Sequence, residues 1–288
     1  MTIFAEPIDP ETLARVEESD RRIAERLSSR TTLVDVIDWV KLAPWLYTIA
    51  LFVIWELLVL GLGMSSTVLP SPLEVFASII QYWGPIWKNS LQTLYTTTLG
   101  FMLAVVAGLL LGLFIGWSKT IYAGLYPLMI GFNAIPKVAL VPILVIWFGI
   151  GTVPAVLTAF LISFFPIVVN VATGLATIEP ETEDVLRALG AKKMDIMLKV
   201  GIPRSMPYFF GSLKIAITLA FVGSVVSETV ASNYGLGNMM SSAQSQFNVP
   251  LVFAGLLMLA VEGIAMYALM AFLERRMTGW AHRSTMGQ

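Results

Sequence analysis

The chain has 288 residues, 57% of them hydrophobic and 13% charged, with a net charge of −1 and a mean hydropathy of +0.78. A soluble domain carries about 25% charged residues, so this composition is that of a membrane protein. The near-neutral charge gives nucleic acid no electrostatic hold. The absence of cysteine removes disulfides, thiol chemistry and His/Cys metal sites, and the one histidine, His282, lies in a polar tail.

Residues 1–41 form a charged arm. Asp9–Ser29 mixes both signs of charge, whereas a signal peptide places a short basic region before an apolar run. Asp9 suits a helix cap, Pro10 the first helical position and Glu11 the first turn, and Glu17–Arg21 and Glu18–Arg22 are i,i+4 pairs of the favourable orientation. This predicts an exposed, solvated helix.

The transmembrane region is expected over 42–273. A bilayer core of about 30 Å needs about 20 apolar residues in a helix. Six stretches qualify, near Leu42–Leu62, Leu91–Trp117, Tyr122–Phe148, Val153–Ala176, Tyr208–Val230 and Leu251–Leu273. Continuous helices satisfy their own backbone in lipid, and the weak alternation of a barrel is not visible. The fold class is therefore all-α, a polytopic protein with six transmembrane helices. Between the first two spans, Pro70 and Pro72 favour a bend, and Ser71, Pro72 and Glu74 read as the capped start of a short helix. The polar stretch before the last span, "SNYGLGNMMSSAQSQFNVP", reads as a loop with at most one short helix. Gly100, Ala104, Gly108 and Gly112 recur every four positions along the second span, a stripe that lets helices approach closely.

Between the fourth and fifth spans lies a charged island, "EDVLRALGAKKMDIMLKVGIP", from Glu183 to Pro203. Pro180 and the acids Glu181, Glu183 and Asp184 are helix-start signals. Val185, Leu186 and Leu189 form an apolar stripe, and Gly190 suits a left-handed cap. A second amphipathic segment runs from Ala191 to Val200, and Pro203 opens the next span. Short amphipathic helices need somewhere to bury their apolar face. The candidates are the chain's own spans and a groove on a separate partner.

Lysine and arginine set the orientation. Arg15, Arg21, Arg22, Arg26, Arg30, Lys41, Lys119, Arg187, Lys192, Lys193, Lys199, Arg204, Arg275, Arg276 and Arg283 flank one set of span ends, against Lys88 alone on the other. The positive-inside rule places both termini and the island in the cytoplasm, with 274–288 as a cytoplasmic tail.

The island resembles the cytoplasmic signature loop of bacterial ATP-binding-cassette (ABC) importer permeases. That signature reads Glu-Ala-Ala, three residues, Gly, nine residues, Ile, one residue, Leu-Pro. Here Asp184-Val185-Leu186, Gly190, Val200 and Ile202-Pro203 align with it. The Gly-to-Pro spacing is kept, while Asp replaces Glu and Val-Leu replaces the alanines. "LPSPLEV", "NAIPKVALVPILVIWFGIG" (Asn133–Gly151) and "SETVASNYGLGNMM" (Ser227–Met240) resemble the subfamily that imports nitrate, sulfonates and taurine.

The resemblance covers roughly Leu42–Leu273. It implies a type I importer fold, a homodimer in the bacterial inner membrane, two cytoplasmic ATPase subunits and an external substrate-binding protein. It also implies that Asp184, Val185, Leu186, Arg187, Ala188, Leu189 and Gly190 form the coupling interface with the ATPase. ATP would be bound by those partners, with no cofactor and no enzymatic site on this chain. Consistent with that reading, the sequence holds no Gly-x-x-x-x-Gly-Lys-Ser/Thr run to cradle phosphates.

Intramembrane polar residues are the candidates for the translocation path. Lys137 lies within the third span with Asn133 one turn earlier, and Glu228 lies at the outer end of the fifth. Lys137 either faces the path as a cation for an anionic solute, or snorkels or pairs with Glu56, Glu228 or Glu262 to hold helices together. Glu228 either lines the outer mouth or serves as a structural or interfacial carboxylate. Glu56 and Glu262 read as structural. Pro136 and Pro142 are expected to bend the third span. The competing reading of the whole chain is a transporter driven by an ion gradient, although the inverted halves usual in that class are not apparent.

Overall fold

A computed structural model describes residues 18, 21, 39–176 and 180–278. Apart from Glu18 and Arg21, the expected arm helix over 9–29 lies outside the described residues, as does His282. The chain divides into two compact units, residues 1–61 and 62–288. In the first, α1 (Trp39–Leu62) is long and apolar enough to cross a membrane. Pro44 lies near its start, and the Thr48 hydroxyl donates to the Pro44 carbonyl at 2.8 Å.

Among its described residues the second unit consists of helices joined by turns, with no strand. It runs α2 (Pro72–Gln81), α3 (Trp83–Gly116), α4 (Lys119–Ala134), a 3-10 turn (Lys137–Leu140) and α5 (Val141–Phe148). It continues through α6 (Thr152–Ala176), α7 (Pro180–Ala188), α8 (Lys193–Ile196), a π-helical turn (Met197–Gly201), α9 (Ile202–Ala231), α10 (Leu236–Ser245) and α11 (Val249–Thr278). The short helix expected after the first span starts where its cap predicts. Ser71 Oγ accepts from Glu74 N at 3.2 Å and Glu74 Oε2 accepts from Ser71 N at 3.0 Å, a closed capping box.

Three spans differ from the sequence reading. The second begins at Trp83, before the expected Leu91, so Lys88 lies in its first turns and not in a loop. The third is two pieces, α4 and the 3-10 turn plus α5, bent by 72° at Ile135–Pro136. Pro136 supplies no amide hydrogen and keeps Ile135 extended, with ψ 126°. The fifth span does not begin at Pro203. Helical structure is unbroken from Lys193 to Ala231, because the π-helical turn carries the second island segment into α9.

The core is built on close helix approach. A Cβ added to Gly100 would lie 2.6 Å from Ala159 Cβ, and one on Gly112 2.7 Å from Val171 Cβ. Gly108 meets Ile167 and Gly116 meets Leu175 in the same way. The partners advance four residues for every four along α3, so α3 and α6 run parallel and the glycine stripe extends one step beyond the sequence reading. Without a hydrophobic gain between helices in lipid, such contact rests on packing, which small residues permit. Helix α9 runs back along α6, with Gly174 against Ser205 and Gly223 against Thr158 and Ile162. Phe101, Ala104, Ile167, Val171, Leu213, Ala216, Ile217 and Ala220 fill the space between the three helices. Lys214 Nζ meets Glu274 Oε2 at 2.6 Å and ties α9 to α11.

The bundle has two distinct ends. One holds Gly116, Ala176 and the island. The other holds Trp83, Thr152, Ala231 and α10.

Candidate functional site

At the island end, α7 stops because Gly190 takes φ +87°. Ala191 N donates to Leu186 O at 3.0 Å and Gly190 N to Arg187 O at 2.9 Å. These two bonds close a Schellman cap, which uses carbonyls the helix would otherwise leave bare. Arg187 Nη2 donates to Glu183 Oε1 at 2.5 Å along the helix. Beyond the glycine turn, Ile196 and Met197 are buried in the bundle and anchor the start of the long α8–α9 helix. Leu189 is 79% exposed and Val185 60%, and Met194 and Leu198 are exposed with them. Asp184, Arg187 and Ala188 are also exposed, while Leu186 is half-buried. A groove of about 280 Å³ runs between Leu186, Leu189, Ala191, Ile196 and Val200. A larger cleft of about 590 Å³ separates α7 from the Trp117–Lys119 turn, where Lys193 Nζ stands 5.4 Å from the Trp117 ring centre.

The break in the third span places Asn133 and Lys137 together. Lys137 Nζ donates to the Asn133 carbonyl at 2.9 Å and to Asn133 Oδ1 at 2.7 Å, and lies 5.9 Å from the Phe165 ring centre. Within its own unit the lysine therefore pairs with Asn133 and not with Glu228 or Glu262. Both residues border a groove of about 290 Å³ whose other walls include Phe132, Leu161, Phe164 and Phe165.

Glu228 is placed apart from that groove. It is 0% exposed, at the end of the bundle opposite the island. Thr93 Oγ1 donates to its Oε2 at 2.8 Å and Thr96 Oγ1 to its Oε1 at 3.0 Å. Gly237 N donates to Oε2 at 3.2 Å. Glu262 lies on α11 and accepts from the Ser90 hydroxyl. The sequence reading singled out Glu228 but missed Asn89, Ser90, Thr93, Thr96 and Ser224. Their signal was present: Asn89, Thr93 and Thr96 recur at helical spacing, a polar stripe on an otherwise apolar span.

Residues 104–279 match the family described as the binding-protein-dependent transport system inner membrane component. The chain belongs to this family. The permease is 33% identical over 240 residues to the formylaminopyrimidine transport permease protein of Halalkalibacterium halodurans, covering 83% of this chain and 96% of that one. It is 32% identical over 260 residues to the riboflavin transport system permease protein of Chloroflexus aurantiacus, covering 88% and 96%. It is 27% identical over 239 residues to the taurine transport system permease protein of Escherichia coli, covering 81% and 86%. Its fold resembles a chain of an inward-facing methionine ABC transporter, with a TM-score of 0.57 at 20% identity over 66% of this chain and 94% of that one. The permease is thus a multi-pass membrane subunit of an ABC importer.

Proposed function

We propose that two copies of this permease form the translocation pathway of an importer that takes a small anionic solute, of nitrate, sulfonate or taurine type, from an external binding protein. Two ATPase subunits drive it from the cytoplasm by docking on the island. The observation that carries this reading is the exposed, glycine-capped α7–α8 hairpin. It presents Val185, Leu189, Met194 and Leu198 outward and runs without a break into the spanning helix α9. A push on α7 passes through the Gly190 turn to α8, which is continuous with α9 and held at Ile196 and Met197, a rigid-body route to alternating access. Only a difference in docking contacts between the two states can drive the change, so the exposed apolar face is the part that must be matched. The island and both termini lie in the cytoplasm by their excess of lysine and arginine, and α10 lies outside.

The solute class rests on Lys137. Its ammonium uses two of three donors on Asn133, which leaves one N–H and the positive charge for an anion at the broken span. Relatives include permeases named for aliphatic sulfonates and taurine as well as for formylaminopyrimidine and riboflavin. The test is uptake by proteoliposomes holding the permease, its ATPase and its binding protein. Uptake is expected to require internal ATP and the binding protein. Uptake driven by a proton or sodium gradient alone would replace this reading with that of an ion-coupled transporter. Lys137→Met is expected to lower anion uptake about tenfold, the size of one lost charged hydrogen bond; unchanged uptake would remove the anion assignment.

A further inference from the structure

Helix α10 begins without a cap of its own. Its N-cap residue is Gly235, at φ +106°, which has no side chain to offer. Three backbone amides at this start are met from elsewhere in the fold. Gly235 N donates to Asn89 Oδ1 at 2.8 Å, Leu236 N to Thr93 Oγ1 at 2.8 Å and Gly237 N to Glu228 Oε2 at 3.2 Å. The Thr93 hydroxyl passes the contact on to Glu228, and Thr96 joins Glu228 to Ser224, whose hydroxyl is 2.6 Å away. A carboxylate offers only acceptors, and it sits at the positive end of the α10 dipole.

The fit leaves no slack. A Cβ on Gly235 would lie 2.3 Å from Glu228 Cδ, and one on Gly237 2.4 Å from the Val225 carbonyl. Ser232, Gly235, Leu236 and Gly237 are all buried. Within the loop, Asn238 Nδ2 donates to the Ser232 carbonyl at 2.6 Å, which closes the turn that leads into the helix.

We propose that Glu228 is a positioning residue for transport: with Asn89 and Thr93 it caps α10 across the fold, so that residues 232–246 stay a fixed part of α3 and α9 throughout the cycle instead of opening as a lid. The proposal rests on the reading that solute arrives at this end, where a fixed surface keeps delivery in register.

Glu228→Leu keeps bulk but removes every acceptor, leaving buried amide and hydroxyl groups unmet. Glu228→Gln keeps one acceptor at the Gly237 and Thr93 position, and the Thr96 hydroxyl can turn to accept from the new amide. In the reconstituted complex, Glu228→Leu is expected to cut uptake about tenfold or more while Glu228→Gln stays within about twofold. A Met240→Cys/Gly255→Cys pair pins α10 to α11, since a Gly255 Cβ would stand 2.5 Å from Met240 Cγ. Oxidising that pair is expected to restore uptake in Glu228→Leu, and reductant to abolish the rescue.

Because the chain has no native cysteine, labelling of Leu236→Cys by a membrane-impermeant maleimide reports on α10 without transport. It should rise in Glu228→Leu, rise less in Asn89→Leu, which removes one cap only, and stay low in Glu228→Gln. Equal damage from Gln and Leu, failure of the oxidised pair to restore uptake, a disulfide that silences the otherwise native permease, or unchanged labelling in Glu228→Leu would each overturn the proposal. If even the native complex shows no uptake dependent on ATP and binding protein, the parent reading fails, and the labelling series still decides the role of Glu228.

Discussion

The two ends of the bundle each carry a short helix beside a positive-φ glycine, and they hold it in opposite ways. Helix α7 ends on Gly190 with a cap made from its own last turn, and its ion pair, Arg187 with Glu183, is also local. Helix α10 starts on Gly235 with a cap assembled from α3 and α9, through Asn89, Thr93 and Glu228. A Cβ on Gly190 meets open space within 4 Å, whereas one on Gly235 runs into a buried carboxylate. Local capping lets a helix keep its shape while its neighbours change. Tertiary capping makes a helix a fixed piece of the bundle. The first suits an element that must be gripped by a partner, the second an element that must stay in place.

This contrast can be broken at chosen positions. The largest effect is expected from Gly235→Ala, where a left-handed φ and a clash with Glu228 act together. A loss of about 3 kcal/mol is expected, read as a fall in detergent-solubilised melting temperature; a loss as small as that of Gly190→Ala would remove the distinction. Gly190→Ala carries strain without a clash, so about 1 kcal/mol is expected, confined to the island and visible as faster protease cleavage there. The smallest effect is expected from Arg187→Ala. Its ion pair is largely exposed, and such pairs contribute roughly 0.5 kcal/mol or less. Its melting temperature should be unchanged within error, and any transport defect would then report on docking.

The same contrast explains what was legible in the sequence. Features closed within a few residues were readable: the Ser71–Glu74 box, the Gly190 cap and the apolar stripe of α7. The glycine stripe of α3 was readable too, because a four-residue period has one packing consequence. The bend at Pro136 was signalled, but its size was not, since the angle depends on what α4 and α5 pack against. The unbroken passage from Lys193 into α9 was hidden, because Pro203 imitates a helix start while a π-helical turn carries the backbone past it. The Glu228 network was least legible. Its partner Thr93 lies 135 residues away in the chain, and nothing local chooses between a mouth-lining acid and a capping one. For Lys137, the hydrogen-bond partner is Asn133, one turn away, a local contact that spacing alone does not rank above an ion pair with a distant acid.

If the driving subunits attach at the exposed face of α7, charge placed on that face must break the complex. The most direct measurement is affinity purification of the permease co-expressed with its ATPase, comparing the native chain with a Val185→Asp/Leu189→Asp variant. Both side chains are exposed, so the variant should insert and melt like the native protein. The native permease is expected to bring down the ATPase, and the variant, present at the same level, is not. An ATPase that co-purifies equally with both, with uptake intact, would contradict it.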